Sequence, residues 1–198
     1  MGLIVKIDKK LNLVTNITRE DGSIVYLHVT PFPYEVVEEH CLLLGNLFTN
    51  FISQVGGLGS ARVAAMMLRK KLKREQELMD EANQQAPNIV DEIQRLTSVV
   101  WNDGGTWKTT SFDAAMKQGI ISPDEYREVE GEVVFFMVSS AIQKAHLIAP
   151  TVGSVIGMFG GQLVSLSVTA FRDSLQTSNP PIDTQTPSAQ QETSHIPS

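Results

Sequence analysis

The chain has 198 residues, of which 42% are hydrophobic, and 22 acidic against 16 basic side chains give a formal net charge of -6. This length predicts one domain with a sizeable core. The acidic balance argues against a general nucleic-acid-binding protein, because attraction to phosphates needs a basic surface. The single cysteine, Cys41, excludes an internal disulfide, and the four scattered histidines lack metal-site spacing. We therefore expect no metal and no cofactor.

The first thirty residues carry the β-structure signals of the chain. Apolar and polar residues alternate after Asp21-Gly22, a dipeptide typical of hairpin turns. We predict strands near residues 3–7, 11–17 and 23–29. Two or three strands are only marginally stable alone, so this element should pack against a helix.

Helical periodicity dominates from about residue 34. The Ser60, Asn88, Ser111 and Ser122 side chains precede apolar periodic segments, as N-caps do. We predict helices over residues 34–55, 60–82, 88–101, 111–119 and 122–148. The fold class is therefore predicted to be mainly α, a single domain over residues 1–175 with a small N-terminal β-hairpin. Residues 176–198 are rich in Ser, Thr, Pro and Gln, which predicts a disordered tail.

The glycine-rich segment 56–59 resembles a nucleotide-binding loop, and Asp80 follows at the spacing of a ribose-binding acid. A dinucleotide-binding unit also needs a buried strand on each side of the loop and helix. Here a helical pattern precedes the loop, and a charged, solvated helix follows it. We therefore interpret these glycines as a turn between two antiparallel helices.

Other candidate sites have simpler interpretations. The basic run 69–74 is followed by acids and lacks interleaved aromatic residues, which favours an exposed helix face. His40 and Cys41 are adjacent and do not face each other on a helix, so we expect Cys41 to be in the core. The acids over 124–132 fit a helix N-terminus. No catalytic constellation is present, and we predict that the protein is not an enzyme.

Residues 147–171 carry no charge over 25 positions and contain Gly153, Gly157 and Gly161 at intervals of four. Such a small-residue stripe lets two helices approach closely, and the length would span a bilayer. Pro150 and Gln162 oppose membrane insertion. The alternatives are a buried helix, a protein-binding face and a membrane-associated segment. The proposed partner-binding residues are Val152, Gly153, Ile156, Gly157, Phe159, Gly161 and Leu163.

The stretches "PNIVDEIQRLTSVVW", "EYREVEGEVVFFMVSSAIQKAHLI" and "SLSVTAFRDSLQTSNP" resemble the tail assembly chaperone family of long-tailed (siphovirus-like) bacteriophages. "HVTP" and "ARVAAMML" are similar to that group as well. The resemblance implies a non-enzymatic chaperone that binds the tape-measure protein and assists tail-tube subunits as they assemble. It also implies residence in the cytoplasm of the infected bacterium and absence from the mature virion. Self-association through the glycine stripe is a further expectation.

Overall fold

The computed structural model describes residues 10–53, 66, 70 and 88–178. Its centre is a five-stranded antiparallel sheet in the order β4-β3-β2-β1-β5. The strands are β1 (Asn12–Thr18), β2 (Ile24–Val29), β3 (Thr97–Asp103), β4 (Thr106–Ser111) and β5 (Gln162–Val164). The first four follow one another as a meander, and β5 pairs with the free edge of β1.

Helices surround this sheet. They are α1 (Tyr34–Glu39), α2 (Cys41–Ser53), α3 (Ile89–Arg95), α4 (Phe112–Lys117), α5 (Pro123–Ile142), α6 (Ala145–Leu147), α7 (Gly153–Met158) and α8 (Val168–Ser178). A π turn, Ile148–Val152, joins α6 to α7. α8 continues past residue 175, where we predicted the domain to end. The predicted strand 3–7, the helix 60–82 except for residues 66 and 70, and the tail from residue 179 lie outside the described residues.

The predicted fold class, mainly α, is wrong, because the five-stranded sheet makes this an α+β fold. The error lies in the predicted helix over 88–101. Its first half is α3, with the Asn88 side chain accepting from the Val90 amide, but residues 97–103 form β3, an interior strand between β4 and β2. Val99 and Val100 are both fully buried. A strand covered on both faces has consecutive apolar residues, which periodicity cannot distinguish from a buried helix.

Local turn and cap signals were read correctly. Gly22 has φ 80° in the turn between β1 and β2, and Gly104 and Gly105, both with positive φ, form the tight turn between β3 and β4. The Ser122 side chain accepts from the Glu125 amide while the Glu125 carboxylate accepts from the Ser122 amide, which is a capping box. These signals were readable because each depends on residues close together in sequence.

The two faces of the sheet are covered unequally. The large face includes Leu13, Leu27 and Val99 and packs into the main core with the buried side of α5, including Phe136. The opposite face, which we call the α8 face, holds a small cluster in which Phe171 of α8 covers Val14 and Val100. Strand alternation produces this division, since successive side chains point to opposite faces.

Candidate functional site

The uncharged segment 147–171 does not form one helix. It passes through the end of α6, the π turn, α7, the short strand β5 and the start of α8. Pro150 lies inside the π turn, where its missing N–H and its ring prevent regular α-helical hydrogen bonding. Gly160, with φ 90°, follows the end of α7. Within the described ranges, no helix combines the length and the apolar character that a bilayer crossing requires.

The three glycines at intervals of four therefore do not share one helix face. Gly157 is exposed, and a Cβ built on it would meet no atom within 4 Å. Gly161 is buried before β5, where a Cβ would lie 2.8 Å from Ile156 Cγ2 and 3.0 Å from Glu132 Oε2. A Cβ on Gly153 would lie 3.4 Å from Leu163 Cδ1. Gly153 and Gly161 thus permit close packing inside the chain, and only Gly157 faces open space.

The other predicted partner-binding residues also differ in how far they are buried inside the chain. Val152 and Ile156 are fully buried in the chain's own core. Phe159 and Leu163 are half-buried. The exposed apolar side chains nearby were not among our predicted residues: Ile142 is 40%, Leu147 41% and Met158 70% exposed. The signal that could have identified them is their position at helix ends, where a side chain has few neighbours on the next turn.

These three side chains belong to neighbouring parts of the structure. Ile142 ends α5, Leu147 ends α6 and Met158 ends α7, and all three helices pack against the π turn. We call Ile142, Leu147, Gly157 and Met158 the apolar rim. Isolated exposed apolar residues are ordinary on protein surfaces, whereas a contiguous apolar patch is typical of a surface that meets another molecule.

A second feature is an open cleft of about 720 Å³ at the end of the sheet where β2 ends and α8 begins. Most of its lining surface is carbon, and we call it the polar cleft after the polar residue types that contribute to it. Its nitrogen-bearing side chains are Lys10, Asn12 and His28, and its hydroxyls belong to Thr30, Ser98, Ser165 and Ser167. Leu166 and Val168 complete the lining. Sequence reasoning missed this cleft, because its residues come from four separated segments and none belongs to a recognisable motif.

Two buried side chains fix the wall of this cleft. The Asn12 amide nitrogen donates to the Leu166 carbonyl oxygen at 2.9 Å, and His28 Nε2 lies 2.9 Å from the same oxygen. Burial lowers the pKa of His28, and the hydrogen bond to Leu166 opposes this shift. The ring is therefore neutral at physiological pH. Since a carbonyl only accepts, Nε2 carries the ring proton and Nδ1 is an acceptor.

On the large face, Glu132 is 6% exposed, and its Oε2 accepts a hydrogen bond of 2.7 Å from the Thr15 hydroxyl. Burial raises the pKa of the Glu132 carboxyl to about 7, and the Thr15 hydrogen bond opposes this shift. A perturbed carboxyl often marks a functional site. Here it lies beside the buried Gly161, inside the packing of α5 against β1, so it bears on stability.

The earlier candidates are placed as follows. Cys41 is exposed, so our prediction of a core cysteine is wrong; it begins α2, directly after the break that ends α1 at Glu39. The Arg19 guanidinium holds the pKa of Glu125 well below its usual range, at about 2. Among the described residues, no group of three or more His, Cys, Asp or Glu side chains is placed to hold a metal ion. The loop 56–59 and Asp80 lie outside the described residues.

Comparison of the chain with protein-family models, with curated proteins and with solved structures finds no match. The resemblance to phage tail assembly chaperones therefore remains a prediction from sequence.

Proposed function

We propose that this protein is a non-enzymatic assembly chaperone of a long-tailed bacteriophage, which binds the tape-measure protein while tail-tube subunits assemble around it. The observation that carries the proposal is the apolar rim at the π turn, together with the sequence resemblance. A tape-measure protein is long, helical and apolar in places, and its chaperone needs an exposed apolar surface to receive such a helix.

The composition of the rim suits a helical client. Met158 supplies a flexible, polarisable side chain that adapts to different apolar partners. Gly157 beside it has open space above its Cα, so a helix backbone can approach closely there. Leu147, Gly157 and Met158 lie in the segment from 147 to 171, which contains no charge, so a client helix placed on these three residues would not bury an unpaired ion of that segment.

The test is co-purification of the full chain with overlapping fragments of the tape-measure protein encoded in the same genome. We expect Met158→Glu to reduce capture of the bound fragment at least about tenfold, because it places a charge in an apolar contact. Leu42→Glu is the matched control, since Leu42 is 82% exposed on α2, outside the rim. Circular dichroism checks that both variants fold.

Three results would count against the proposal. An equal loss of fragment capture in both variants would indicate non-specific binding to exposed apolar residues. Unchanged capture by both variants would show that the rim is not part of the interface. Failure of every tape-measure fragment to co-purify would reject the chaperone function. The proposed location is tested separately: mass spectrometry should find the protein in lysates of infected cells and not in purified virions.

A further inference from the structure

The polar cleft at the end of β2 differs in charge from the rest of the chain. The whole sequence has more acids than bases, yet among the residues that the structure describes the cleft is lined by one lysine, Lys10, and by no carboxylate. Hydroxyls from Thr30, Ser98, Ser165 and Ser167 also line the cleft. Such a lining offers several hydrogen-bond donors and one positive charge to a ligand, and no repulsion to an anion.

The walls of the cleft are held in place before any ligand enters. His28 is 3% and Asn12 9% exposed, and both bond to the Leu166 carbonyl. This double hydrogen bond fixes the connection between β5 and α8, which carries Ser165 and Ser167. The Ser167 hydroxyl in turn accepts from the Ala170 amide at 3.2 Å. A preformed site avoids the cost of ordering its side chains on binding.

We propose that this cleft is a binding site for a small ligand that carries an oxyanion, either a carboxylate or a phosphate group. Lys10 supplies the charge, and the hydroxyls of Thr30, Ser98 and Ser165 donate hydrogen bonds to the anion's oxygens. The volume of about 720 Å³ lies within the range of small-molecule sites, roughly 300–1,000 Å³. This site shares no lining residue with the apolar rim, and its existence does not depend on the proposed chaperone function.

The experiment titrates the full chain with sodium phosphate and, separately, with sodium succinate, at constant ionic strength. Side-chain resonances of the histidines report where each probe binds. We expect saturable shifts of the His28 ring, which lines the cleft, and none of the exposed His146 ring on α6. The probe that binds more tightly identifies the group as phosphate or carboxylate.

Variants then test the assignment of the cation. We expect Lys10→Met to weaken binding about tenfold or more, because a charge-assisted hydrogen bond is lost. Lys144→Met, at an exposed lysine that does not line the cleft, should change the dissociation constant less than twofold. Ser98→Ala should weaken binding by a smaller factor than Lys10→Met.

Any of three outcomes overturns the proposal. These are no saturable binding of either probe, equal weakening by the two lysine variants, and shifts at His146 that match those at His28. Lys10 is exposed, so its replacement leaves the fold intact and the test remains decisive.

Discussion

The two faces of the sheet differ in how many apolar side chains they bury and in how accessible they remain to other molecules. The large face buries most of the apolar core and joins β1–β3 to α2, α3, α4, α5 and α7. The α8 face buries Val14, Val100 and Phe171. The Tyr26 ring lies 5.3 Å from the Phe171 ring and 5.6 Å from the Trp107 ring, and beside this cluster the cleft remains open. A sheet with one heavily packed face can leave part of the other open to ligands, because the first face already supplies most of the burial that holds the strands together.

A buried titratable side chain with a shifted pKa lies on each face, Glu132 on the large face and His28 on the α8 face, and the two shifts have opposite effects on stability as the pH changes. Glu132 on the large face has a raised pKa, so its ionisation disfavours the folded state at high pH. His28 on the α8 face has a lowered pKa, so the unfolded chain binds a proton more readily at low pH. Between about pH 4.5 and 6.5 the two contributions to stability therefore change in opposite directions as the pH changes, and they arise on opposite sides of the sheet.

The largest expected effect compares one phenylalanine from each face. Phe136→Ala empties a fully buried position in the main core and should lower the free energy of unfolding by about 3–5 kcal/mol. Phe171→Ala removes the centre of the smaller cluster and should cost less, about 1–3 kcal/mol, because fewer groups surround the void. Urea denaturation of both variants measures the difference. Equal losses would show that α8 is as strongly integrated as α5.

The next prediction uses two glycines four residues apart. Gly161→Ala should destabilise the chain by about 2–3 kcal/mol, because the new methyl group would overlap Ile156 Cγ2. Gly157→Ala adds its methyl group to open space in α7 and should be neutral or stabilising by up to about 1 kcal/mol. Thermal melting distinguishes the two. Similar melting temperatures for both variants would contradict the close approach at Gly161.

The third prediction concerns Glu132. Its contribution is greatest below about pH 4.5, where both states are protonated, and it decreases as pH rises to about 7, because the unfolded carboxyl ionises first. Glu132→Gln retains an acceptor for the Thr15 hydroxyl and should raise stability at pH 8 by about 2 kcal/mol. Unfolding across pH 4–8 measures this slope. Glu38→Gln, at an exposed carboxylate on α1, is the control and should leave the slope unchanged.

The smallest expected effect is on the α8 face. Asn12→Ala removes one of the two hydrogen bonds to the Leu166 carbonyl and should cost about 1 kcal/mol, because His28 still satisfies that oxygen. Hydrogen exchange should show faster opening of α8, with the amides of α5 unaffected. Faster exchange of both helices to the same degree would mean that the two faces open together.

The sequence predicted what depends on neighbours along the chain. The hairpin at Asp21-Gly22 and the caps at Asn88, Ser111 and Ser122 were all readable, because each follows from local backbone sterics and hydrogen bonding. The apolar segment 147–171 was noticed for its missing charges, but its division among π turn, helix and strand was not predicted.

Only the tertiary structure decided the rest. Residues 97–103 form a strand because β2 pairs with them and both faces of the sheet are covered, which no window of neighbouring residues reveals. Gly153 and Gly161 serve packing within the chain because Leu163 and Ile156 fold against them. The polar cleft exists because Lys10, His28, Ser98 and Ser165 meet at one end of the sheet. Composition and local pattern determine which segments can form helices, turns and caps. Long-range contacts determine which segments pack or pair with one another and which side chains remain exposed.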